Sequence, residues 1–234
     1  MLLLYAVVAS PADPAVTQGR AGAPGVRLSR FDHGDLGVLY ATVEEPPRGD
    51  RSEVLAYGHT LTSIAQASTA LPFRYGTCVA TAPELAQLVG SREQEWLAQL
   101  ARLDGMVEVI VHASPSGQPL QASHQPAGRA RMETDAPKRT LRPGAGRDYL
   151  TSRAAAHKAL EGLAEQLEEA VTSYCAEVRR LRAKTEVRLA CLVPRRSSTG
   201  LEEATQAWAR ARGDVDVVVT GPFAALSFTE SRGS

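Results

Sequence analysis

The stretch LARLDGMVEVIV, residues 100–111, decides the fold of the C-terminal half of the chain. Asp104-Gly105 is typical of a tight turn, so the sequence predicts a helix that ends before it and a strand that begins after it. Valines occupy alternate positions of this strand, residues 106–113, and Glu108 falls on the opposite side. From here onward the pattern predicts strand, long helix, strand, helix, strand. That order is typical of an α+β fold of ferredoxin-like type, in which helices cover one face of a small sheet.

The long helix is predicted over residues 149–184. Its apolar residues recur at alternating steps of three and four, which is a heptad pattern. A small sheet covers only part of so long a helix, so some of this seam is expected to meet another helix, another chain or solvent. Self-association through residues 149–184 is therefore one expected interaction. The seam consists of His157, Leu160, Ala164, Leu167, Val171, Tyr174, Val178 and Leu181.

The N-terminal half predicts a separate unit of mixed α/β type. A helix is expected to begin near Asp50, since Asp50 and Glu53 have the spacing of a capping box. Its expected buried face includes Gly58 and Leu61. We therefore predict two α+β domains, an N-terminal sheet domain over residues 1–105 and a C-terminal, modified ferredoxin-like domain over 106–228. The predicted N-terminal strands cover residues 2–9, 26–31, 36–43 and 71–79.

Residues 113–148 differ in kind from the rest of the chain. They contain five prolines and four glycines but few large apolar side chains, and six basic residues stand against three acidic ones. Such a segment buries too little surface to offset its ordering entropy. We interpret it as a flexible, basic insert, and residues 229–234 as a disordered tail.

Composition excludes several classes of function. Net charge is zero at pH 7, and no run approaches the length of a membrane span. The three cysteines form no CxxC pair, and the chain lacks an HExxH pair, a P-loop and GxSxG. The sequence thus predicts no metal, no cofactor and no catalytic residue. Sparse, unpaired cysteines are typical of a cytoplasmic protein.

Two alternative functions remain open at this point. A small-molecule enzyme could use His59, Arg74 and Glu108, although His59 lacks a nucleophile at any recognisable spacing and is better interpreted as a hydrogen-bonded side chain near the edge of the core. A nucleic-acid-binding module could use the basic residues of 129–147. That segment has no aromatic residues for base stacking, so nucleic acid is not the expected partner.

Four motifs occur together in one order. GHTLTSIAQASTALPFRYGT (58–77) is a helix that leads into an LPxR[FY]GT segment, and LARLDGMVEVIV (100–111) is a helix, turn and strand. GRDYLTSR (146–153) opens the long helix, and TGPFAALSF (220–228) closes the chain. In this combination the sequence resembles the gas vesicle protein family GvpF/GvpL.

The resemblance implies two α+β domains and a non-enzymatic role in the formation of gas vesicles, the hollow protein shells of some bacteria and archaea. It implies a minor vesicle component or assembly factor in the cytoplasm that contacts the shell protein GvpA and other gas vesicle proteins. The chain departs from the family in its closing motif, which typically reads GPWPPYSF. Here Phe223 replaces the Trp, and Tyr75 stands where Phe is usual.

The resemblance also supplies the candidates for structural or partner-binding roles. Period-two alternation places Phe73 and Tyr75 on one face of a strand and Arg74 on the other. We hypothesise that Arg74 pairs with Glu108 and so stabilises the architecture, and that Gly76 permits a close backbone approach. The candidates are His59, Pro72, Arg74, Tyr75, Gly76, Glu108, Tyr149, Gly221, Pro222 and Phe223.

Overall fold

The computed structural model of the protein describes residues 1–10, 27–117 and 145–229. These residues belong to two compact units. The first unit draws on Met1–Val109, Leu192–Ser198 and Gly221–Ser234, and the second on Ile110–Cys191 and Thr199–Thr220. The predicted boundary between two domains at residue 105 stays a prediction.

The first unit is built on a five-stranded sheet with the order β2-β3-β1-β4, in which β5 also pairs with β1. All the pairings are antiparallel. β1 is central because its mostly apolar sequence is suited to burial on both faces. The strands are β1 (Leu2–Ala9), β2 (Ser29–His33), β3 (Leu36–Thr42), β4 (Ala70–Pro72) and β5 (Cys78–Val79).

Two helices, α1 (Arg51–Ala67) and α2 (Ala82–Arg102), pack against this sheet. Both helices begin with a side-chain cap, and that of α1 is the predicted one. The Asp50 side chain accepts from the backbone N–H of Glu53, and the Thr81 hydroxyl accepts from that of Glu84. These caps satisfy backbone donors that the first turn of a helix leaves without partners.

The face that α1 buries agrees with the predicted one in part. Leu61 packs into the core as predicted, together with Tyr57 and Ile64, whereas Gly58 is exposed and Val54 is 40% exposed. Tyr57 takes the inward position because its ring stacks on Tyr5 at a centroid distance of 4.6 Å. Its hydroxyl lies 2.9 Å from the carbonyl oxygens of both Leu4 and Phe73, so burial of this polar tip is compensated.

The predicted strand over 71–79 is wrong in one respect: the chain turns within it. β4 ends at Pro72, Gly76 has φ of +83°, and β5 begins only at Cys78. The turn is closed by Thr77, whose N–H and hydroxyl donate to the carbonyl of Arg74 over 3.1 and 2.7 Å. Strict alternation therefore stops after Pro72, and Arg74 lies in an exposed connection and not on a strand face.

The four-stranded sheet has the order β7-β8-β6-β9. With its two helices the chain runs strand, helix, strand, strand, helix, strand, which is the ferredoxin-like sequence of elements. The α+β class and the ferredoxin-like type predicted from the sequence are confirmed, and the observed order contains one strand, β7, that the predicted order lacked. The elements are β6 (Met106–Pro115), α3 (Ala145–Thr172), β7 (Glu177–Leu181), β8 (Val187–Pro194), α4 (Ser198–Arg212) and β9 (Val215–Phe223).

The predicted helix over 149–184 is wrong at its C-terminal end, because residues 177–181 form strand β7. The helix ends in a turn where the N–H groups of Tyr174 and Cys175 donate to carbonyls three residues earlier. In β7, pairing with β8 then satisfies backbone hydrogen-bonding groups that a continued helix would otherwise have satisfied. Leu163, Leu167 and Val171 form the buried face of α3.

The ends of the predicted insert are structured. β6 continues to Pro115 and α3 begins at Ala145, while residues 118–144 lie outside the described part of the chain, as do residues 230–234 of the predicted tail. None of the helices described is long and apolar enough to cross a membrane. Within the described ranges, no three His, Cys, Asp or Glu side chains group as a metal site would require.

Candidate partner-binding groove

A groove of about 540 Å³ lies in the first unit between α2 and the sheet strands β1 and β4. It is open to solvent, and its described lining is divided evenly between apolar residues and polar or charged ones. Such a shape suits an extended chain better than a compact metabolite. The groove is lined by Val7, Leu71, Pro72, Phe73, Arg74, Thr77, Leu88, Arg92, Glu95, Trp96, Gln99 and Thr229.

Two aromatic rings form the rigid part of the groove. Phe73 meets Trp96 edge to face, with ring centroids 5.8 Å apart and planes at 90°. Trp96 is 4% exposed, so α2 holds its ring in one place, whereas Phe73 is half-buried. The Arg92 guanidinium lies 5.3 Å from the centre of the Trp96 ring. Buried aromatic rings at the base of a groove are typical anchors for a bound partner.

The charges of α2 in the groove neutralise one another. Arg92 makes a two-point contact with Glu95, over 3.0 Å from Nε and 2.8 Å from Nη2, and Gln99 donates to the same carboxylate over 3.0 Å. The Arg92 hydrogen bond, which is the largest cause, lowers the pKa of Glu95 below its ordinary value. The helix therefore presents a paired, nearly neutral surface beside the aromatic rings.

Tyr75 does not line the groove and instead bonds to the start of α1. Its hydroxyl donates to Glu53 Oε2 over 2.7 Å, and its ring packs edge-on against Tyr57 at 5.3 Å. The same Glu53 oxygen accepts from the backbone N–H groups of Arg48 and Gly49 over 3.0 and 3.2 Å. Burial, and then the bond to Glu53, raise the pKa of Tyr75 to about 12. Tyr75 thus joins the turn after β4 to the start of α1.

The structure assigns Gly76 a different role from the predicted one. A Cβ added at Gly76 would meet no atom within 4 Å, so no backbone comes close there. The residue is glycine because of its φ of +83°, which side chains disfavour. Pro72 is the last residue of β4 and pairs with Ala6, at an edge of the sheet where a missing N–H costs no ladder bond.

A close backbone approach does occur, at Gly221. Its φ is +129°, and an added Cβ would lie 2.9 Å from the carbonyl oxygen of Glu108. The Gly221-Pro222 peptide bond is cis, and Phe223 after it is half-buried. Of the closing motif, Phe228 is fully buried. The motif therefore packs against strand β6 within the first unit.

Glu108 is buried, with 3% of the residue exposed. Its carboxylate accepts from the backbone N–H of Ser227 over 2.8 Å and from the Ser227 hydroxyl over 2.7 Å. These bonds attach the closing motif to β6 and compensate burial of the charge. An ion pair between Arg74 and Glu108 stays a prediction.

His59 is exposed on α1, so its predicted position near the edge of the core is wrong. Of the three residues in the enzyme alternative, only Arg74 lines the groove. Tyr149 lies in the first turns of α3, and the structure describes its backbone alone. Sequence reasoning did not identify two site residues, Phe73 and Trp96. The available signal was a Trp on the apolar face of the helix that follows the LPFR segment.

Comparison with known proteins supports this arrangement of elements. The crystal structure of the gas vesicle protein GvpF from Anabaena sp. PCC7120 superposes with a TM-score of 0.76 at 15% identity, covering 99% of this chain and 97% of that one. The crystal structure of GvpF from Microcystis aeruginosa gives a TM-score of 0.74, also at 15% identity, over 98% and 99% of the two chains. These likenesses concern the fold.

Sequence comparison identifies the family. Gas vesicle protein L from Streptomyces sp. (strain CB03234) is 27% identical over 258 aligned positions, which cover 96% of this chain and 91% of that protein. The family model described as gas vesicle synthesis protein GvpL/GvpF matches residues 1–230. A match over nearly the whole length includes both units and all four motifs. The chain therefore belongs to the GvpL/GvpF family of gas vesicle proteins.

Proposed function

We propose that this protein is a non-enzymatic assembly factor or minor component of gas vesicles in the cytoplasm, and that it binds the shell protein GvpA through the groove of its first unit. Membership of a family described by gas vesicle synthesis supports the role. The observation that carries the proposed contact is the pair of rings, Phe73 and Trp96, in the apolar part of an open groove.

The chemistry of the groove fits an apolar, extended segment of a partner. Leu71, Leu88 and Val7 line it with the two rings, and the α2 charges beside them are already paired. A polar or strongly charged ligand would find few unneutralised groups on this helix. An apolar segment would gain by leaving water, at about 25 cal/mol per Å² of surface buried.

The edge of the sheet offers a second means of holding such a segment. β4 stands at the end of the strand order, and among the described residues it pairs only with β1. An extended chain in the groove could place its backbone beside this edge, while its side chains contact the rings. A shell subunit kept in this way would be protected from uncontrolled association until it is added to the growing shell.

A further proposed contact is self-association through α3. Residues 150, 151 and 153–159 of this helix are exposed, and Leu150 is 65% exposed. The sequence predicts that part of this helix meets another helix, another chain or solvent. Self-association and contacts with other gas vesicle proteins are compatible with the proposed role, and neither requires the groove.

The experiment is capture of GvpA by purified, tagged protein that carries Leu88→Glu. Leu88 is half-buried in the groove, so the substitution places a charge where the apolar segment would lie. We expect at least a tenfold loss of captured GvpA, which corresponds to about 1.4 kcal/mol of binding free energy. Gas vesicle formation in cells that carry this variant should fall in parallel.

The matched control is Leu55→Glu, because Leu55 is 39% exposed on α1 and does not line the groove. It should keep capture and vesicle formation. Equal capture by wild type and Leu88→Glu, both folded by circular dichroism, would overturn the groove as the binding site. For the enzyme alternative, His59→Gln should leave vesicle formation unchanged; a folded His59→Gln variant that fails would favour that alternative.

A further inference from the structure

We infer that a basic cleft in the second unit binds an acidic polypeptide segment in which apolar residues alternate with carboxylates. This cleft, of about 280 Å³, lies between α3 and the segment that joins β7 to β8. It is a separate surface from the groove, in a different unit, and the inference does not depend on the proposed binding of GvpA.

The cleft carries more positive than negative charge. Four cationic side chains line it, Arg180, Arg182, Lys184 and Arg188, against the two carboxylates of Glu161 and Glu186. The whole chain has no net charge at pH 7, so this excess is local. A local field of one sign raises the concentration of oppositely charged partners at the surface.

Two of the four cations are already engaged. Arg180 contacts Glu161 over 3.5 Å and Glu168 over 2.7 Å, both on α3. Arg188 contacts Glu186 over 2.5 Å. These pairs fix the side of the cleft next to the helix.

The other two cations, Arg182 and Lys184, are exposed, and neither makes an ion pair with any described acidic residue. They are two residues apart on the β7–β8 connection and both line the cleft. A carboxylate of a bound partner would therefore contact these two side chains without displacing an existing ion-pair partner.

Apolar residues also line the cleft, and they distinguish between classes of anionic partner. We call these four residues its floor: Leu160, Ala164, Leu181 and Val187. A segment with alternating carboxylates and apolar side chains would match this arrangement. Its carboxylates would contact Arg182 and Lys184, and its apolar side chains would contact the floor. A nucleic acid would match it poorly, because no Phe, Tyr or Trp is among the described lining residues and stacked bases need such a platform.

The test is fluorescence anisotropy of the full chain with a labelled short peptide of alternating Glu and Leu. We expect binding that weakens as salt is added, and weakens about tenfold in Arg182→Gln/Lys184→Gln, since each lost charge-assisted contact contributes to affinity. Both positions are exposed, so the variant should fold, and its circular dichroism checks this. The matched control is Arg196→Gln/Arg210→Gln, which removes two exposed cations outside the cleft.

Three results would overturn the inference. The first is equal peptide binding by wild type and the cleft variant, or an equal loss in the control variant. The second is undiminished binding of a peptide in which Ser replaces every Leu, because the apolar floor would then have no part. The third is tighter binding of a single-stranded oligonucleotide that is lost in the cleft variant, which would assign the cleft to nucleic acid.

GvpA capture by the cleft variant should be unchanged, so failure of the cleft proposal is distinguishable from failure of the groove proposal.

Discussion

Two motifs of similar composition, LPFRYGT (71–77) and GPFAALSF (221–228), behave in opposite ways in the first unit. Each contains a Pro, a Phe and a glycine with positive φ. The first surrounds an open turn and gives Phe73 and Arg74 to the groove. The second packs on β6 through Glu108 and buries Phe228 completely. The comparison indicates that the closing motif holds the unit together and that the LPFRYGT segment presents a surface.

The largest expected difference between the two motifs lies in their phenylalanines. Phe228→Ala should lower the free energy of unfolding by about 4 kcal/mol, because it leaves a cavity in a fully buried site. Phe73→Ala should cost about 1–2 kcal/mol, since the ring is half-buried and lies against an open groove. Urea denaturation of both variants measures the difference.

The two variants should also separate stability from binding. Phe73→Ala should reduce GvpA capture while the protein stays folded, because the ring is half of the aromatic pair with Trp96. If Phe73→Ala were as destabilising as Phe228→Ala, the LPFRYGT segment would be part of the core and the contrast between the motifs would be lost.

The glycines of the two motifs give the next largest difference. Gly221→Ala should cost about 3 kcal/mol, because it combines a disfavoured φ with a Cβ 2.9 Å from the Glu108 carbonyl. Gly76→Ala has only the disfavoured φ, since the space around it is open, and should cost about 1 kcal/mol. Thermal and urea unfolding of the pair measure this.

A matched control for the glycines is Gly58→Ala. Gly58 is exposed within α1, with no atom near an added Cβ, and alanine there should stabilise the helix by about 0.5–1 kcal/mol. Equal costs at Gly76 and Gly221 would mean that packing against Glu108 adds nothing, which would contradict the close approach described for the closing motif.

Much of the fold could be predicted from local patterns. The capping residue Asp50, the strand after Asp104-Gly105 and the helix and strands that follow residue 186 depend on signals within a few residues of each other. The end of α3 could not be predicted, because Val178 and Leu181 fit the three-and-four spacing of a helix as well as they fit a short strand. Residues 173–176 contain neither Gly nor Pro to mark the boundary.

The site depends on contacts that a single sequence does not encode locally. Glu108 and Ser227 are 119 residues apart, and nothing near either of them specifies the bond. Phe73 and Trp96 belong to different elements and meet only because α2 packs beside β4. The sequence did indicate that the LPFR segment and the closing motif carry a function, but not which of them is exposed.

The smallest expected effect concerns Tyr75, whose hydroxyl attaches the exposed motif to the start of α1. Tyr75→Phe removes the bond to Glu53 and should cost about 1 kcal/mol near neutral pH. The ring contact with Tyr57 stays, so the turn should keep its shape. Ser227→Ala is the counterpart in the closing motif; it removes the hydroxyl bond to a buried carboxylate and should cost at least as much.

The pH dependence of Tyr75→Phe sharpens this last prediction. The pKa of Tyr75 is raised from 10 to about 12 by burial and by the bond to Glu53, so the folded state holds a proton that the unfolded state has already lost between these values. Stability linked to Tyr75 is therefore fully present below pH 10 and decreases as the pH rises toward 12. The gap in unfolding free energy between wild type and Tyr75→Phe should narrow over this range, as urea denaturation at a series of pH values would measure. Because the other titrating groups contribute equally to both proteins, a gap that stays constant would mean that the Tyr75 hydroxyl does not bind Glu53, and that Tyr75 is held to α1 by its ring contact with Tyr57.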